Sequence, residues 1–173
     1  LDLSANYGAI PIIRPGELST DTSSSEDALL HAIEKIEKTT SIDLVVFLQC
    51  TSPLRETDDI DNAIDCFIKN DYDSLFSATD MKDLCLWRSV ENNFCSINFD
   101  YKARQIRQNI TPQYSENGSF YIFKPNILKN NKNRFGGKIG IYEMDAWKIY
   151  EIDEASDIEI CNYFMTTKIL KNN

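Results

Sequence analysis

A stretch over residues 42–48 that is apolar except for Asp43 is followed at once by a polar turn that Pro53 interrupts. A run of this kind is typical of a central strand in a parallel sheet, with both faces covered by helices. In open α/β sheets, ligands bind just beyond the carboxyl ends of the strands. The turn at 49–55 therefore lies where a substrate would be held. The side chains that we expect to meet a ligand there are those of Gln49, Thr51, Ser52 and Arg55.

Helical and extended patterns alternate around this stretch. Apolar residues recur at helical spacing over 24–38, with serines and a threonine just before them as N-cap candidates. A second helix is predicted from Thr57 or Asp58 to residue 70, and a strand follows at 74–79. Strand and helix in alternation indicate βαβ units, so the sequence predicts an α/β fold with a doubly wound sheet.

The ends of the chain give further elements. Residues 1–7 resemble the end of a helix that Gly8 closes, and a short strand is predicted at 9–13. The other predicted strands cover 120–123, 138–143 and 148–152. The other predicted helices cover 125–129 and the segment from Ser156 or Asp157 to residue 171.

Residues 80–115 depart from the alternation and predict a hairpin-like excursion from the sheet. The segment holds Met81, Leu86, Trp87 and Phe94. Two interpretations remain open: these side chains form a surface for a partner, or they close the local core.

Charge and cysteine content exclude several classes of protein. The formal charge is −9, which argues against general binding to nucleic acid or to an anionic membrane. The five cysteines are odd in number and lack CxxC spacing, which favours reduced thiols and a cytoplasmic protein. No apolar run approaches the roughly 18 residues of a membrane-spanning helix. A local basic cluster at Lys102, Arg104 and Arg107 either binds an anionic ligand or forms a solvated face.

Glu151 and Asp153 are two residues apart and would lie on the same side of an extended strand. One or two carboxylates, completed by substrate phosphates, are a common way to hold Mg²⁺, although acidic pairs are also frequent on exposed strands. His31 is the only histidine, and the chain has no Walker A loop, so a protein nucleophile is not indicated. Nucleotidyl transfer needs none, because positioning and charge neutralisation perform it.

Five motifs in register resemble the CMP-sialic acid synthetases, or acylneuraminate cytidylyltransferases. Residues 14–21 are similar to the family's Arg-Pro-x-x-Leu-x-x-Asp signature, and 49–55 to its Gln-Pro-Thr-Ser-Pro-Leu-Arg turn. Residues 106–108 are similar to its Arg-Arg-Gln stretch, and 117–121 to its Asn-Gly-x-x-Tyr. Residues 151–153 align with its Asp-x-Asp metal pair.

The resemblance implies a Rossmann-like α/β domain that joins CTP to a nine-carbon sugar acid and releases pyrophosphate. Its sheet would be mainly parallel with helices on both faces, and the 80–115 excursion would form a homodimer. By position, Arg14 and Ser25 would meet the nucleotide, Gln49 and Tyr121 the sugar, and Arg107 the sugar carboxylate or the phosphates. Thr51, Ser52, Gln108 and Asn117 would complete the substrate site, and Glu151 with Asp153 would hold Mg²⁺. Arg107 and Asp153 would be the catalytic residues.

The sequence also departs from the family pattern. Cys50 replaces a proline, and Glu151 replaces the first aspartate of the metal pair. The family's N-terminal CTP-binding loop has no counterpart, so we expect one domain over 1–173 that lacks an N-terminal unit of at least ~30 residues. Two alternatives stay open. One is a related enzyme acting on legionaminic, pseudaminic or 3-deoxy-manno-octulosonic acid, and the other is a fragment that binds without turnover.

Overall fold

The computed structural model describes residues 2–81 and 84–172, and the side chains of Asp2, Arg107 and Asn172 lie outside that description. The α-helices are α1 (Asp2–Asn6), α2 (Ser25–Ile36), α3 (Asp59–Lys69), α4 (Pro125–Asn131) and α5 (Asp157–Phe164). The strands are β1 (Val45–Leu48), β2 (Ser74–Asp80), β3 (Trp87–Val90), β4 (Asn93–Ser96), β5 (Tyr114–Phe123) and β6 (Ile139–Met144).

Four strands form one sheet in the order β1-β5-β2-β6. β5 runs antiparallel to β2, because Lys124 N donates to Asp73 O at one end (3.1 Å) and Met81 N donates to Gln113 O at the other (2.8 Å). β2 and β6 run in the same direction, since their first residues meet where Asp73 N donates to Lys138 O (2.9 Å). The predicted Rossmann-like α/β class is confirmed, with a mixed sheet in which β5 runs antiparallel to β2.

The chain divides into two compact units. The first comprises the residues up to Phe47, with Ile60–Phe76 and Tyr121–Gly140. The predicted cap of its helix α2 is confirmed, because Ser24 Oγ accepts a hydrogen bond from Asp27 N (3.1 Å). Its core consists of Leu30, Ile33, Tyr121, Phe123 and Leu128.

The second unit comprises Leu48–Asp59, Ser77–Phe120 and the residues from Ile141 onward. The predicted hairpin is present as β3 and β4, which pair antiparallel with Trp87 opposite Ser96. Its turn places Glu91 and Asn92 at φ of 48° and 67°, the left-handed conformation that two-residue hairpin loops require. Buried apolar side chains in this unit include Leu54, Ala78, Phe120, Met144 and Cys161.

Two predicted strands are wrong and one is misplaced. Residues 9–13 form no strand, since Pro11 lacks an N–H and most of the segment is exposed. Residues 148–152 contain instead the end of a short 3₁₀ helix, Ala146–Ile149, and irregular chain, because Lys148 turns inward to carboxylates. Within the described residues, β1 lies at an edge of the sheet and is only half-buried, so the expected central position is wrong.

The final helix also differs from its prediction. α5 continues as a π-helix over Met165–Ile169 and a 3₁₀ turn over Leu170–Asn172. Thr166 and Thr167 donate their hydroxyls to the carbonyls of Asn162 and Tyr163, respectively, the kind of back-bonding that distorts helices. Over residues 2–81 and 84–172, we find no helix long and apolar enough to cross a membrane.

Candidate active site

The turn after β1 is held by Arg55, a residue of the 49–55 motif. Its Nη1 donates to the carbonyls of Ser52 (2.6 Å) and Ser119 (2.7 Å). Burial lowers the pKa of Arg55, and the charge of Asp59 partly offsets this effect. Because Nη1 binds backbone carbonyls of both the 49–55 and the 117–121 motifs, Arg55 joins these two motifs.

Gly118 lies where the two motifs meet. Its φ is +64°, and a Cβ added to it would lie 2.5 Å from Ser52 Oγ, 2.8 Å from Gln49 Oε1 and 3.0 Å from Glu151 Oε2. A side chain at this position would therefore collide with three polar groups and strain the backbone. The three predicted site residues Gln49, Ser52 and Glu151 thus surround one glycine.

Asn117 stabilises the turn at this glycine through buried hydrogen bonds. Its side chain is fully buried, and its amide oxygen accepts from Ser77 Oγ (2.6 Å) and Ser119 N (3.2 Å). Ser77 Oγ also accepts from Phe120 N (2.9 Å). A substrate cannot reach Asn117 in this arrangement, and the residue fixes the shape of the Gly118 turn.

The carboxylate of Glu151 accepts a hydrogen bond from Ser52 Oγ at 3.2 Å. The next residue, Ile152, donates its N–H to Thr51 O at 2.8 Å, so the 151–153 segment is attached to the 49–55 turn twice. Asp153 is exposed, and its N–H donates to Asp157 Oδ2 (3.0 Å).

The carboxylates of Glu151 and Asp153 could hold a metal ion only if a bound substrate supplied further oxygen ligands. Among residues 2–81 and 84–172, no three His, Cys, Asp or Glu side chains cluster closely enough to hold an ion. Carboxylate oxygens are nevertheless the ligands that Mg²⁺ prefers, and substrate phosphates commonly complete its shell.

Lys148 lies next to this segment and is buried, with 3% of its side chain exposed. Its Nζ contacts Glu56 Oε2 (2.5 Å) and both oxygens of Asp59 (2.7 and 2.9 Å). Burial lowers the pKa of Lys148, but the hydrogen bonds to Asp59 and then Glu56 outweigh that effect and raise the pKa. α3 begins at Asp59, directly after Asp58, one of the two predicted caps, and Asp59 Oδ2 itself accepts from Glu56 N.

Other predicted site residues lie elsewhere in the chain. Arg14, Ser25 and Tyr121 belong to the first unit: Arg14 is exposed and donates from Nε to Ser19 Oγ (3.1 Å), and Ser25 is the exposed first residue of α2. Tyr121 is 7% exposed, with its ring stacked on Phe47.

The excursion carries Arg107 and Gln108 on a short 3₁₀ helix, Arg107–Asn109. Gln108 is exposed, and the Arg107 side chain lies outside the described residues. A pocket of about 390 Å³ lies in the same segment, lined in part by Leu84, Phe99, Arg104 and Gln113. Arg104 stacks on Phe99, with its guanidinium carbon 5.5 Å from the ring centroid.

Sequence reasoning missed Ser77, Asp59 and Lys148. A lysine inside the apolar pattern at 146–152 was the one available signal, since a cation in such a run needs partners when it is buried. Nothing in the sequence around Ser77 marks it as the acceptor for Phe120 N.

Comparison with known proteins places the chain in one family. The model of the cytidylyltransferase family matches residues 4–173. The post-translational flagellin modification protein B of Campylobacter coli is 27% identical, over 95% of this chain and 71% of that protein. The N-acylneuraminate cytidylyltransferase A of Danio rerio is 31% identical, over 88% of this chain and 35% of that protein. The pseudaminic acid cytidylyltransferase of Campylobacter jejuni serotype O:2 is 29% identical, over 92% of this chain and 70% of that protein. The chain spans about a third of the second relative and about seven tenths of the other two.

Proposed function

The chain belongs to the cytidylyltransferase family, and from that membership we propose that the protein joins CTP to a nine-carbon sialic acid, giving CMP-sialic acid and pyrophosphate. One observation carries the proposal: Gln49, Ser52 and Glu151, from separate motifs, surround Gly118 with their polar atoms. Such a cluster of amide, hydroxyl and carboxylate groups suits a hydroxyl-rich sugar acid and a nucleotide phosphate.

The chemistry requires positioning more than a nucleophile. The sugar hydroxyl attacks the α-phosphate of CTP, the new phosphodiester bond forms, and the bond to pyrophosphate breaks. We assign Gln49, Thr51, Ser52 and Tyr121 to the sugar side, and Arg14 and Ser25 to the nucleotide. Arg107, with Gln108 beside it, is assigned to the negative charge of the carboxylate or the phosphates. Asn117 acts through the Gly118 turn that it supports.

The carboxylates of Glu151 and Asp153 would hold Mg²⁺, with the phosphates of CTP completing the shell. When bound, the ion would neutralise charge on the transferred phosphoryl group. Ser52 orients Glu151 for this role, because its hydroxyl donates to the Oε2 atom of that carboxylate. Glu151 replaces the first aspartate of the family's metal pair and has a longer side chain. The 151–153 segment that carries it is held to the 49–55 turn at two points, Ser52 and Thr51.

A second substrate has its own support. The pseudaminic acid cytidylyltransferase of Campylobacter jejuni matches 92% of this chain and is itself covered to 70%, more than the 35% of the Danio rerio acylneuraminate enzyme. Pseudaminic acid is therefore the alternative acceptor, and the reaction and site residues are the same for both.

We also propose a homodimer through the excursion at 80–115. Both strands of the hairpin are exposed, and Phe94 and Trp87 present 72% and 49% of their surface to solvent. Apolar side chains on both strands of a small hairpin suit a second copy of the chain. Arg107 follows the hairpin in the same excursion, so its placement at the site would depend on that contact.

Pyrophosphate release by the full-length protein tests the proposal. CTP and Mg²⁺ are supplied with N-acetylneuraminic, pseudaminic, legionaminic or 3-deoxy-manno-octulosonic acid, or with no acid. We expect acid-dependent release that is strongest with a nine-carbon acid and falls at least ten-fold in Glu151→Gln. Binding of CTP without release from any acid would instead support the non-catalytic alternative.

A further inference from the structure

Lys148 is a buried cation whose side chain reaches across 89 residues of sequence to Asp59. Both oxygens of Asp59 and one of Glu56 accept hydrogen bonds from its Nζ, so the ammonium is saturated. A buried ion pair of this kind is weak evidence for stability as such, since an apolar pair of similar size often performs as well. Its better attested use is to fix the register of the segments it joins.

The segment carrying Lys148 leads directly to the candidate metal ligand. The 3₁₀ helix Ala146–Ile149 ends two residues before Glu151. On the other side of Glu151, the N–H of Ile152 donates to Thr51 O at 2.8 Å. Lys148 and Ile152 therefore attach the chain on both sides of the Glu151 carboxylate.

The carboxylates that receive Lys148 belong to the segment that carries Ser52. Glu56 and Asp59 follow the 49–55 turn without a break, and Arg55 binds the Ser52 carbonyl (2.6 Å). The ion pair therefore ties the segment that carries Glu151 to the segment that carries Ser52, and it does so three residues before Glu151.

We infer that Lys148 is a positioning residue that holds the Glu151 carboxylate against Ser52 for metal and phosphate binding. The functional half of this inference rests on the proposed cytidylyl transfer, and the structural half does not. Lys148 touches no substrate and acts only through the register of the 146–152 segment.

The test compares variants of the full-length protein by amide hydrogen exchange and by kinetics. Lys148→Met removes the cation but leaves two carboxylates without it, so Lys148→Met combined with Asp59→Asn is the main variant. An asparagine at 59 still accepts from Glu56 N, the bond that Asp59 makes at the start of α3. Lys124→Met is the matched control, since Lys124 also pairs with an aspartate, Asp73 (2.8 Å), and has no assigned role in the site. Lys148→Arg is the conservative variant.

We expect the Ile152 amide to exchange at least ten-fold faster in the double variant, while the Phe120 amide, bonded to Ser77 Oγ, keeps its protection. We also expect kcat to fall at least ten-fold and the Mg²⁺ concentration for half-maximal rate to rise at least five-fold. Lys148→Arg should recover part of both, and Lys124→Met should change neither.

Other results would overturn all or part of the inference. An Ile152 amide that keeps wild-type protection overturns the inference whatever the activity. Faster exchange at Ile152 with unchanged kcat and Mg²⁺ dependence overturns its functional half. If the wild-type protein turns over none of the acids, the proposed function fails, and the exchange data alone decide whether Lys148 holds the segment.

Discussion

Ser52 Oγ donates a hydrogen bond to Glu151 Oε2 at 3.2 Å, joining residues 99 positions apart in the chain. Ser52 is almost completely buried, so its hydroxyl has little access to water, whereas the Glu151 carboxylate is half-buried. The contact brings the 49–55 turn and the acidic 151–153 segment together at Gly118. The effects of changing Gly118 or Ser77 depend on how closely these segments are packed.

The first prediction concerns Gly118→Ala. A methyl group there would meet the polar atoms of Ser52, Gln49 and Glu151 at 2.5 to 3.0 Å and would impose a left-handed φ of +64° on an alanine. We expect at least a ten-fold loss of turnover and a loss of about 1–2 kcal/mol in the free energy of unfolding. Pyrophosphate release and urea denaturation measure the two effects.

Two glycines separate crowding from backbone strain. Gly8 has φ +84° with nothing within 4 Å of an added Cβ, whereas Gly16 has neither a positive φ nor a close neighbour. Gly8→Ala should therefore cost stability alone, and Gly16→Ala should be neutral. Equal turnover in Gly118→Ala and Gly8→Ala would show that the three polar groups do not need their present spacing.

The second prediction is that Ser77→Ala destabilises the protein by removing the buried hydrogen bonds that support the Gly118 turn. Ser77 Oγ accepts from Phe120 N (2.9 Å) and donates to Asn117 Oδ1 (2.6 Å), and all three groups are buried. An unsatisfied buried N–H costs about 1–3 kcal/mol. The free energy of unfolding should fall by that amount, which lowers the urea midpoint at an unchanged m-value. Ser89→Ala, on the exposed strand β3, is the control, and equal midpoints for the two variants would contradict the prediction.

Much of the fold could be predicted because local patterns specify it. Ser24 caps α2, and the turn at 49–55 follows a strand. The strand predicted at 148–152 was wrong because Lys148 turns inward to carboxylates that lie 89 and 92 residues away in the sequence. The lysine in this apolar pattern indicates that partners are needed, but the local sequence does not show which carboxylates they are. The edge position of β1 in the described sheet depends likewise on which strands pair with it.

The third prediction concerns pH and the start of β2. The pKa of Asp73 lies below that of an ordinary aspartate, mainly because Lys124 Nζ donates to it (2.8 Å), with Lys138 N as a second donor. A lowered pKa contributes stability that is present above the unfolded-state pKa and is lost as pH falls through the folded-state value. Asp73→Asn should therefore lower Tm at pH 7, and its deficit should shrink toward pH 3.

Asp71 provides the control for Asp73. Its carboxylate lies 3.6 Å from Lys124 Nζ and is 93% exposed, so its pairing with Lys124 should contribute little. Thermal melts of Asp71→Asn should match the wild type at both pH values. A deficit for Asp73→Asn that stays constant with pH would exclude its charge as the cause.

The fourth prediction concerns Arg107→Ala in the full-length protein. The arginine lies in a basic segment of an acidic chain, and the resemblance assigns it to the sugar carboxylate or the phosphates. We expect turnover to fall more than ten-fold without unfolding. Arg104→Ala is the matched control, because Arg104 donates to Cys85 Sγ (3.2 Å) within the excursion. Kinetics of Arg107→Ala that equal those of the wild type would remove this residue from the site.

The last prediction is that the hairpin β3–β4 mediates self-association. A stable dimer buries at least ~1,200 Å² in total, and the exposed apolar side chains of the hairpin, including Phe94 and Trp87, would contribute to that area. Phe94→Asp would place a charge in that contact, so it should convert a dimer to a monomer at micromolar concentration by light scattering. Tyr163→Asp is the control, since Tyr163 is 61% exposed on α5, outside the hairpin, and should leave the dimer intact. A wild-type protein that scatters only as a monomer at micromolar concentration would contradict the prediction, and loss of the dimer in Tyr163→Asp alone would move the interface to α5.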